Sequence, residues 1–371
     1  MKPTIRYCLC TLLGLLLFLG IPALSSPPLT PIAESTTLIE QGKERYQAAQ
    51  FTEAVALLQQ AAETYQQEGK PLNRSLALNY LSLAYQELGR WEDAESAIVT
   101  SVSLLPDTGS HNEIIQLRAQ VLSTQGQLQL ALGQAEDALD TWQAAEALYD
   151  RLAYSPGTIG TQINQAQALE ALGLYRRSCA TVLQAFGISD LTCEAIADES
   201  TLDRVSLWEN RILTAFANQP EALQGEGLRI LGNTLRLTGK LAQSQTVLER
   251  SLELATTPQA ESAAYLSLGN TARALGDRIA TQQESRNRPK TPRKESADPW
   301  DCQSATDNPE AIAYYQKAAA SPSPTIRVQA QLNLWELQPD TALLTDIQSQ
   351  LSRLSPSRSS VFARVKYARH L

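Results

Sequence analysis

Six small residues set the pattern of this chain. Ala54, Ala94, Ala138 and Ser178 follow one another at steps of 40, 44 and 40 residues; Ser244 follows after 66 more and Ala311 after a further 67. Each sits in a segment of one design, shown in full between Ala77 and Pro106 (ALNYLSLAYQELGRWEDAESAIVTSVSLLP). Leu78, Leu81 and Tyr85 recur at helical spacing. Gly89 ends that helix, because a residue without Cβ takes the left-handed turn at no steric cost. Trp91 opens a second helix, and Ala94 lies where the two backbones approach. Ile98, Val102 and Leu105 continue the apolar stripe until Pro106 stops it. A pair of this kind has one apolar face per helix and no core of its own. Its repetition predicts an array in which each pair is stabilised by stacking on its neighbours.

The order L-x-x-L-x-x-x-Y-x-x-x-G-x-W-x-x-A, with a proline at the far end, resembles the tetratricopeptide repeat (TPR). The resemblance implies an all-α, right-handed superhelical solenoid of antiparallel helix pairs. It covers about 300 residues, from Leu38 to Leu337. The steps exceed the usual TPR period of about 34. The extra residues fall after each second helix, which predicts lengthened helices or connections.

Other pairs are read in the same register. The first carries Leu38, Gly42 and Tyr46, then Phe51, Ala54, Leu58 and Ala61. Its span, LIEQGKERYQAAQFTEAVALLQQAAETYQQEG, is similar to the opening repeat of cyanobacterial secreted TPR proteins. Gly126, Ala138 and Trp142 mark the third pair, and Ile163, Leu169, Gly173 and Val182 the fourth. Residues 187–219 depart from the period and are expected to form an inserted helix bearing Val205, Trp208 and Ile212, or a repeat too degenerate to recognise. Leu228, Leu231, Leu235 and Leu248 restore the pattern in the fifth pair. The sixth is interrupted between Gly276 and Ala311 by a polar segment containing RNRPKTPRK, Arg286 to Lys294. The expected domains are an array over 34–277 with its insertion at 187–219, a basic, polar disordered loop over 278–308, and C-terminal TPR-like helices over 309–371.

Residues 1–26 read as a secretory signal peptide. Lys2 and Arg6 precede an apolar run from Cys8 to Leu19, and in Ala23-Leu24-Ser25 the small residues Ala23 and Ser25 stand at the spacing cleavage needs. Retention of the segment as an anchor over residues 7–24 is the alternative. A Pro-rich spacer, 27–33, follows. Export, to the periplasm or beyond, is therefore expected, with membrane association only if the segment is uncleaved. The net charge of −8 argues against nucleic acid, which needs a positive face to release counterions.

Beyond the signal segment only Cys179, Cys193 and Cys302 remain. Outside the cytoplasm a disulfide is plausible. Pairing Cys179 with Cys193 would close a short loop across the insertion; Cys193–Cys302 and three free thiols are the alternatives. Catalytic machinery is scarce. The two histidines, His111 and His370, are far apart in the chain, and no Cys, His or carboxylate cluster has metal-ligand spacing. The reading is of a non-enzyme without metal or cofactor.

One constellation points to binding. The fifth pair reads Gly232-Asn233-Thr234-Leu235-Arg236 and the sixth Gly269-Asn270-Thr271-Ala272-Arg273. Asn and Arg three residues apart share one helical face. In the family resembled, the residue after the mid-helix small position faces the concave groove. The resemblance thus nominates Asn233, Arg236, Asn270 and Arg273 for a protein or peptide partner. Amides would meet its backbone and guanidinium forks its carboxylates. The matching positions in two earlier pairs are Leu83 and Gln86, then Gln127 and Leu130, so the site is expected in the C-terminal half.

The function expected is an extracytoplasmic scaffold that binds protein or peptide in its groove. Many proteins of the resembled group continue into a caspase-like CHAT domain, for which the residues after Leu337 give no counterpart. The alternative is therefore the regulatory arm of a CHAT-type caspase-like protease whose catalytic part is missing from this sequence or carried by a separate chain, with an exposed apolar surface expected at Val361, Phe362 and Val365.

Overall fold

A computed structural model describes residues 31–106, 111–193, 210–217, 219–287, 308–354 and 356–369, with the backbone alone for 31–36 and 280–287. The described residues form sixteen helices and no strand. The first four pairs are α1 (Pro31–Gln47) with α2 (Phe51–Gln67), α3 (Pro71–Glu87) with α4 (Trp91–Ser103), α5 (Asn112–Leu132) with α6 (Ala135–Arg151), and α7 (Ser155–Ala171) with α8 (Tyr175–Ala185). A helical stretch at 210–216, α9, belongs to the insertion. Then come α10 (Glu221–Leu237) with α11 (Leu241–Glu253), α12 (Pro258–Asn287) with α13 (Pro309–Ala318), and α14 (Pro324–Leu337) with α15 (Thr341–Arg353); α16 (Arg358–Ala368) closes the series. The lengthened period resides mainly in the helices, several of which run to 17 residues.

The six small residues are all fully buried at the crossings of their pairs. One turn further along each second helix stands a large side chain, and opposite it on the first helix a residue small enough to admit it. A Cβ on Gly126 would lie 2.6 Å from the Trp142 ring, one on Gly232 2.5 Å from Leu248, and one on Gly269 2.5 Å from Tyr315. Where the small residue is serine, its hydroxyl ties repeats together. Ser178 Oγ donates to the Ala166 carbonyl and meets Thr234 Oγ1 of the next first helix at 3.3 Å. Ser244 likewise bonds the Gly232 carbonyl and meets Thr271 Oγ1 at 3.0 Å.

Each first helix packs on the next first helix, from α1 on α3 through α14 on α16, while second helices make no comparable contact with one another. The layer whose members lie closer together is the inner one. The array is thus a TPR-like solenoid with its first helices on the concave face. Curvature carries α16 and the end of α15 back to the second and third pairs. Helix α16 packs against α5, Leu354 lies against Gly89 in the α3–α4 turn, and Arg358 lies against Gly133 in the α5–α6 turn.

Three expectations meet the structure differently or lie outside it. The loop expected over 278–308 begins later, because α12 continues to Asn287. Residues 278–287 are polar, but they hold no Gly or Pro and consist largely of helix formers, so polarity alone does not end the helix. The spacer ends earlier than expected, since Pro31 already occupies the first position of α1, where its missing N–H costs nothing. The signal segment, Val205, Trp208, Cys302 and most of the basic loop lie outside the described residues. Of the insertion, Ile188, Cys193, Ile212 and Phe216 are buried with α7, α8 and α10, and the Phe186 and Phe216 rings stack.

A polar ladder on the concave face

The register that places Gly232 and Gly269 opposite their large partners also decodes the residues that follow. Thr234 and Thr271 turn toward the preceding repeat. Leu235 and Ala272 turn into the core. This leaves Asn233 with Arg236, and Asn270 with Arg273, on the inner face. The same positions hold Gln167 and Glu170 on α7, Asn333 and Glu336 on α14, and Lys366 on α16 with Arg369 capping its C-terminus. A ladder of polar pairs therefore runs down the inner layer from α7 to α16.

At its lower end the rungs join. Asn270 Oδ1 accepts from Tyr315 Oη at 3.0 Å and from Asn333 Nδ2 at 2.9 Å. Lys366 Nζ reaches Asn333 Oδ1 and lies 2.9 Å from Glu336 Oε2. Arg273 pairs with the same Glu336 oxygen. Burial acts to raise the Glu336 carboxyl, but the bonds from Arg273 and Lys366 outweigh it and hold it below the usual carboxylate range. Burial lowers the Lys366 amine against the pull of Glu336. The Tyr315 phenol is pushed up to about 12 by burial, with the Arg273 and Arg236 charges working the other way. Beside this network opens a cavity of about 240 Å³ with Asn270, Asn333 and Lys366 on its polar side and Leu266, Leu332 and Phe362 on its apolar side.

A second network sits higher, where α10 follows the insertion. Glu170 Oε1 accepts from Thr234 Oγ1 at 2.6 Å. Burial pushes this carboxyl up to about 7, although the Thr234 bond and the Arg229 and Arg236 charges pull it down. Arg236 is in turn lowered by burial, and its Nε is buried without a hydrogen-bond partner. Glu226 binds Arg229 through both oxygens, at 2.5 and 3.0 Å, and accepts from Gln167 Nε2 at 2.9 Å. Higher still, Glu87 at the end of α3 meets Tyr46 of α1 and Gln259 of α12, and burial raises its carboxyl.

Of the four residues nominated from sequence, Asn270 lines the cavity, Arg273 is held by Glu336, Arg236 faces Glu170 and Tyr315, and Asn233 is half-buried on α10. The structure brings Asn270 and Arg273 into one network and keeps Asn233 apart from it. Sequence reasoning missed Glu170, Asn333, Glu336 and Lys366. The three-residue spacing was there to find: carrying it one pair earlier gives Gln167 and Glu170, and carrying it one helix later gives Asn333 and Glu336. Cys179 and Cys193 are disulfide-bonded with Cα atoms 6.2 Å apart, which ties the start of the insertion to α8.

No protein-family model and no curated protein matches the sequence. Solved structures do. A putative kinesin light chain of Podosopora anserina with nearly identical TPR-like repeats is 17% identical, over 59% of this chain and 93% of its own, with a TM-score of 0.40. A Rap protein complexed with Competence and Sporulation Factor is 11% identical, over 91% and 97% of the two chains, with a TM-score of 0.43. NprR in complex with its cognate peptide NprX is 11% identical, over 86% and 87%, with a TM-score of 0.35.

Proposed function

We propose that this chain is a non-enzymatic, exported scaffold that binds a protein or peptide segment along its concave face. The observation that carries the reading is the ladder of register-equivalent polar pairs on the inner helices, opening at Asn270, Asn333 and Lys366 into a cavity with one polar and one apolar side. Beyond the network Asn270 keeps its Nδ2 donors and Asn333 one donor and one acceptor, which suits peptide backbone, and the apolar side suits one neighbouring side chain. The groove binds by being preformed, since its rungs are already hydrogen-bonded to one another.

The test is selection of displayed random peptides on the immobilised chain. The expected result is an enriched sequence class bound by the wild type and lost by Asn270→Ala/Asn333→Ala. Enrichment that survives the double substitution would move the site off the ladder. Export is supported by the Cys179–Cys193 bond, since disulfides persist in oxidising compartments. Sequencing the N-terminus of the protein recovered from cell envelopes tests it, with cleavage near Ser26 expected. The second reading, an arm that docks on a separate catalytic chain, is favoured by the exposure of Val361, Phe362 and Val365.

A further inference from the structure

The second and fifth helix pairs are built to one plan. Helices α3 and α10 both span 17 residues, and α4 and α11 both span 13. The match extends to single bonds. Ser101 Oγ donates to the Ser75 carbonyl at 2.8 Å, and Ser251 Oγ to the Gly225 carbonyl at 2.7 Å. Just past each second helix, the Leu105 amide bonds the Val102 carbonyl and the Ala255 amide the Leu252 carbonyl, both at 3.1 Å. What differs is the filling of the corner where each pair meets the next first helix. In the second pair Leu105 is buried in a cluster against which Leu72 of α3 and Leu117 of α5 pack. The register puts Ala255 in place of Leu105 and Ala222 in place of Leu72. Counted from Gly269 as Leu117 is counted from Gly126, Ala260 stands in place of Leu117. These three alanines line a pocket of about 120 Å³ between α10, the end of α11 and the start of α12. The first and third pairs fill the same corner with Tyr65 and Tyr149, 1% and 6% exposed. Tyr149 rests against Gly157, the α7 counterpart of Ala260. The first three pairs therefore plug this corner from within, and the fifth leaves it open.

Size, rim and internal precedent indicate what fits there. An apolar cavity of roughly 150 Å³ takes benzene, so this one suits a single branched aliphatic side chain. Truncating a packed leucine to alanine leaves space that costs stability until something refills it. Glu226 and Arg229 line the pocket on the face of α10 that also carries Asn233 and Arg236, and both side chains are partly exposed. The pocket thus opens onto the concave face. The two charges neutralise each other at 2.5 Å, so the rim favours an uncharged occupant. The pair that matches bond for bond uses leucine. We propose that this pocket receives a leucine-type side chain of the segment bound in the groove, which supplies from outside what Leu105 supplies in the second pair. The inference rests on the groove reading and gives its ligand a second anchor, apart from the cavity at Asn270 and Asn333.

The probe is N-acetylleucinamide, with N-acetylglycinamide as control, titrated into the full chain carrying methyl-labelled alanine and followed by NMR. The leucine compound alone should shift the methyl signals of Ala222, Ala255 and Ala260, and the shifts should saturate. Ala255→Leu restores the internal plug. It should melt no lower than wild type and bind the compound at least tenfold more weakly, read at Ala222 and Ala260. Ala222→Leu, which copies Leu72, closes the pocket from its other wall and replaces the first variant should that one misfold. The proposal is overturned if the leucine compound shifts none of the three methyls, as it would if another part of the chain already filled the pocket. It is equally overturned if a plugged variant binds the compound as tightly as wild type does. Asn270→Ala/Asn333→Ala should leave these shifts unchanged. Peptide selection can therefore fail while the pocket stands, and the pocket can fail while selection succeeds.

Discussion

At the scale of single residues, the glycines separate two physical effects that act in opposite directions. In a helix interior, Gly→Ala gains roughly 0.5–1 kcal/mol in backbone entropy. At Gly160 on α7 the added Cβ would meet Leu223 at 3.6 Å, an ordinary contact. Gly160→Ala is therefore expected to raise the urea midpoint. At Gly126 the Cβ would sit 2.6 Å from the Trp142 ring, a rigid, fully buried indole fixed by its bond to the Ser123 carbonyl. Overpacking costs about 1–3 kcal/mol and outweighs the gain. Gly126→Ala should lower the midpoint, with the Trp142 emission changing alongside. The two partly buried carboxylates are shifted in opposite directions. Glu170 is raised in the fold to about 7, so the folded state binds its proton more tightly than the unfolded chain does. Stability from this group is full below the ordinary carboxylate range and falls as pH rises toward about 7. Glu170→Gln should remove that decline, a gain on the order of 2 kcal/mol at pH 8 once its partial exposure is allowed for. Glu336 is depressed, so its contribution is present at neutral pH and lost only as pH falls below the usual carboxylate range.

At the scale of elements, the attachment of α16 rests on a few polar bonds. Arg364 donates to the Leu351 and Leu354 carbonyls at the end of α15, and Ser357 caps the helix with Ser360 in a reciprocal pair. Glu336 holds Lys366 and Arg273 together. Glu336→Gln leaves two half-buried cations short of a counter-charge. Hydrogen exchange should then quicken in α16 and the lower part of α12, while α1 to α4 stay protected. Unchanged exchange in α16 would mean that apolar packing alone holds it. The helix pairs themselves were legible in the sequence because their small residues and glycines report a crossing that each pair makes locally. Glu170 and Glu336 were not, because a carboxylate on a helix in an acidic chain reads as a solvated face until its neighbours are known. The extension of α12 was missed for a related reason: helix-forming residues without apolar periodicity carry no packing signal, yet nothing in them stops the helix.

At the scale of the whole molecule, the return of α15 and α16 to the α3–α4 and α5–α6 turns makes the solenoid closed rather than open-ended. A Cβ on Gly133 would lie 3.8 Å from that of Arg358, within the span of a disulfide. Gly133→Cys/Arg358→Cys, with Cys302→Ser, should oxidise to a species of faster electrophoretic mobility under mild conditions, despite the strain of a side chain at the left-handed Gly133 position. Failure to cross-link would show that the two ends part in solution. No periodicity in the sequence foretells this contact, since it joins residues more than two hundred positions apart and depends on small rotations summed over every repeat.

That contact alters how the chain can reach its fold. An array that touches only its neighbours can zip up from any point, and its early repeats can settle as soon as they leave the ribosome. Here Gly89 and Gly133 acquire their final neighbours only when Leu354 and Arg358 exist, so those two turns must wait for more than two hundred further residues to be made. Long-separation contacts slow folding through the entropy of closing the intervening loop. Synthesis order and assembly order are therefore uncoupled at the seam, where α16 meets turns made long before it.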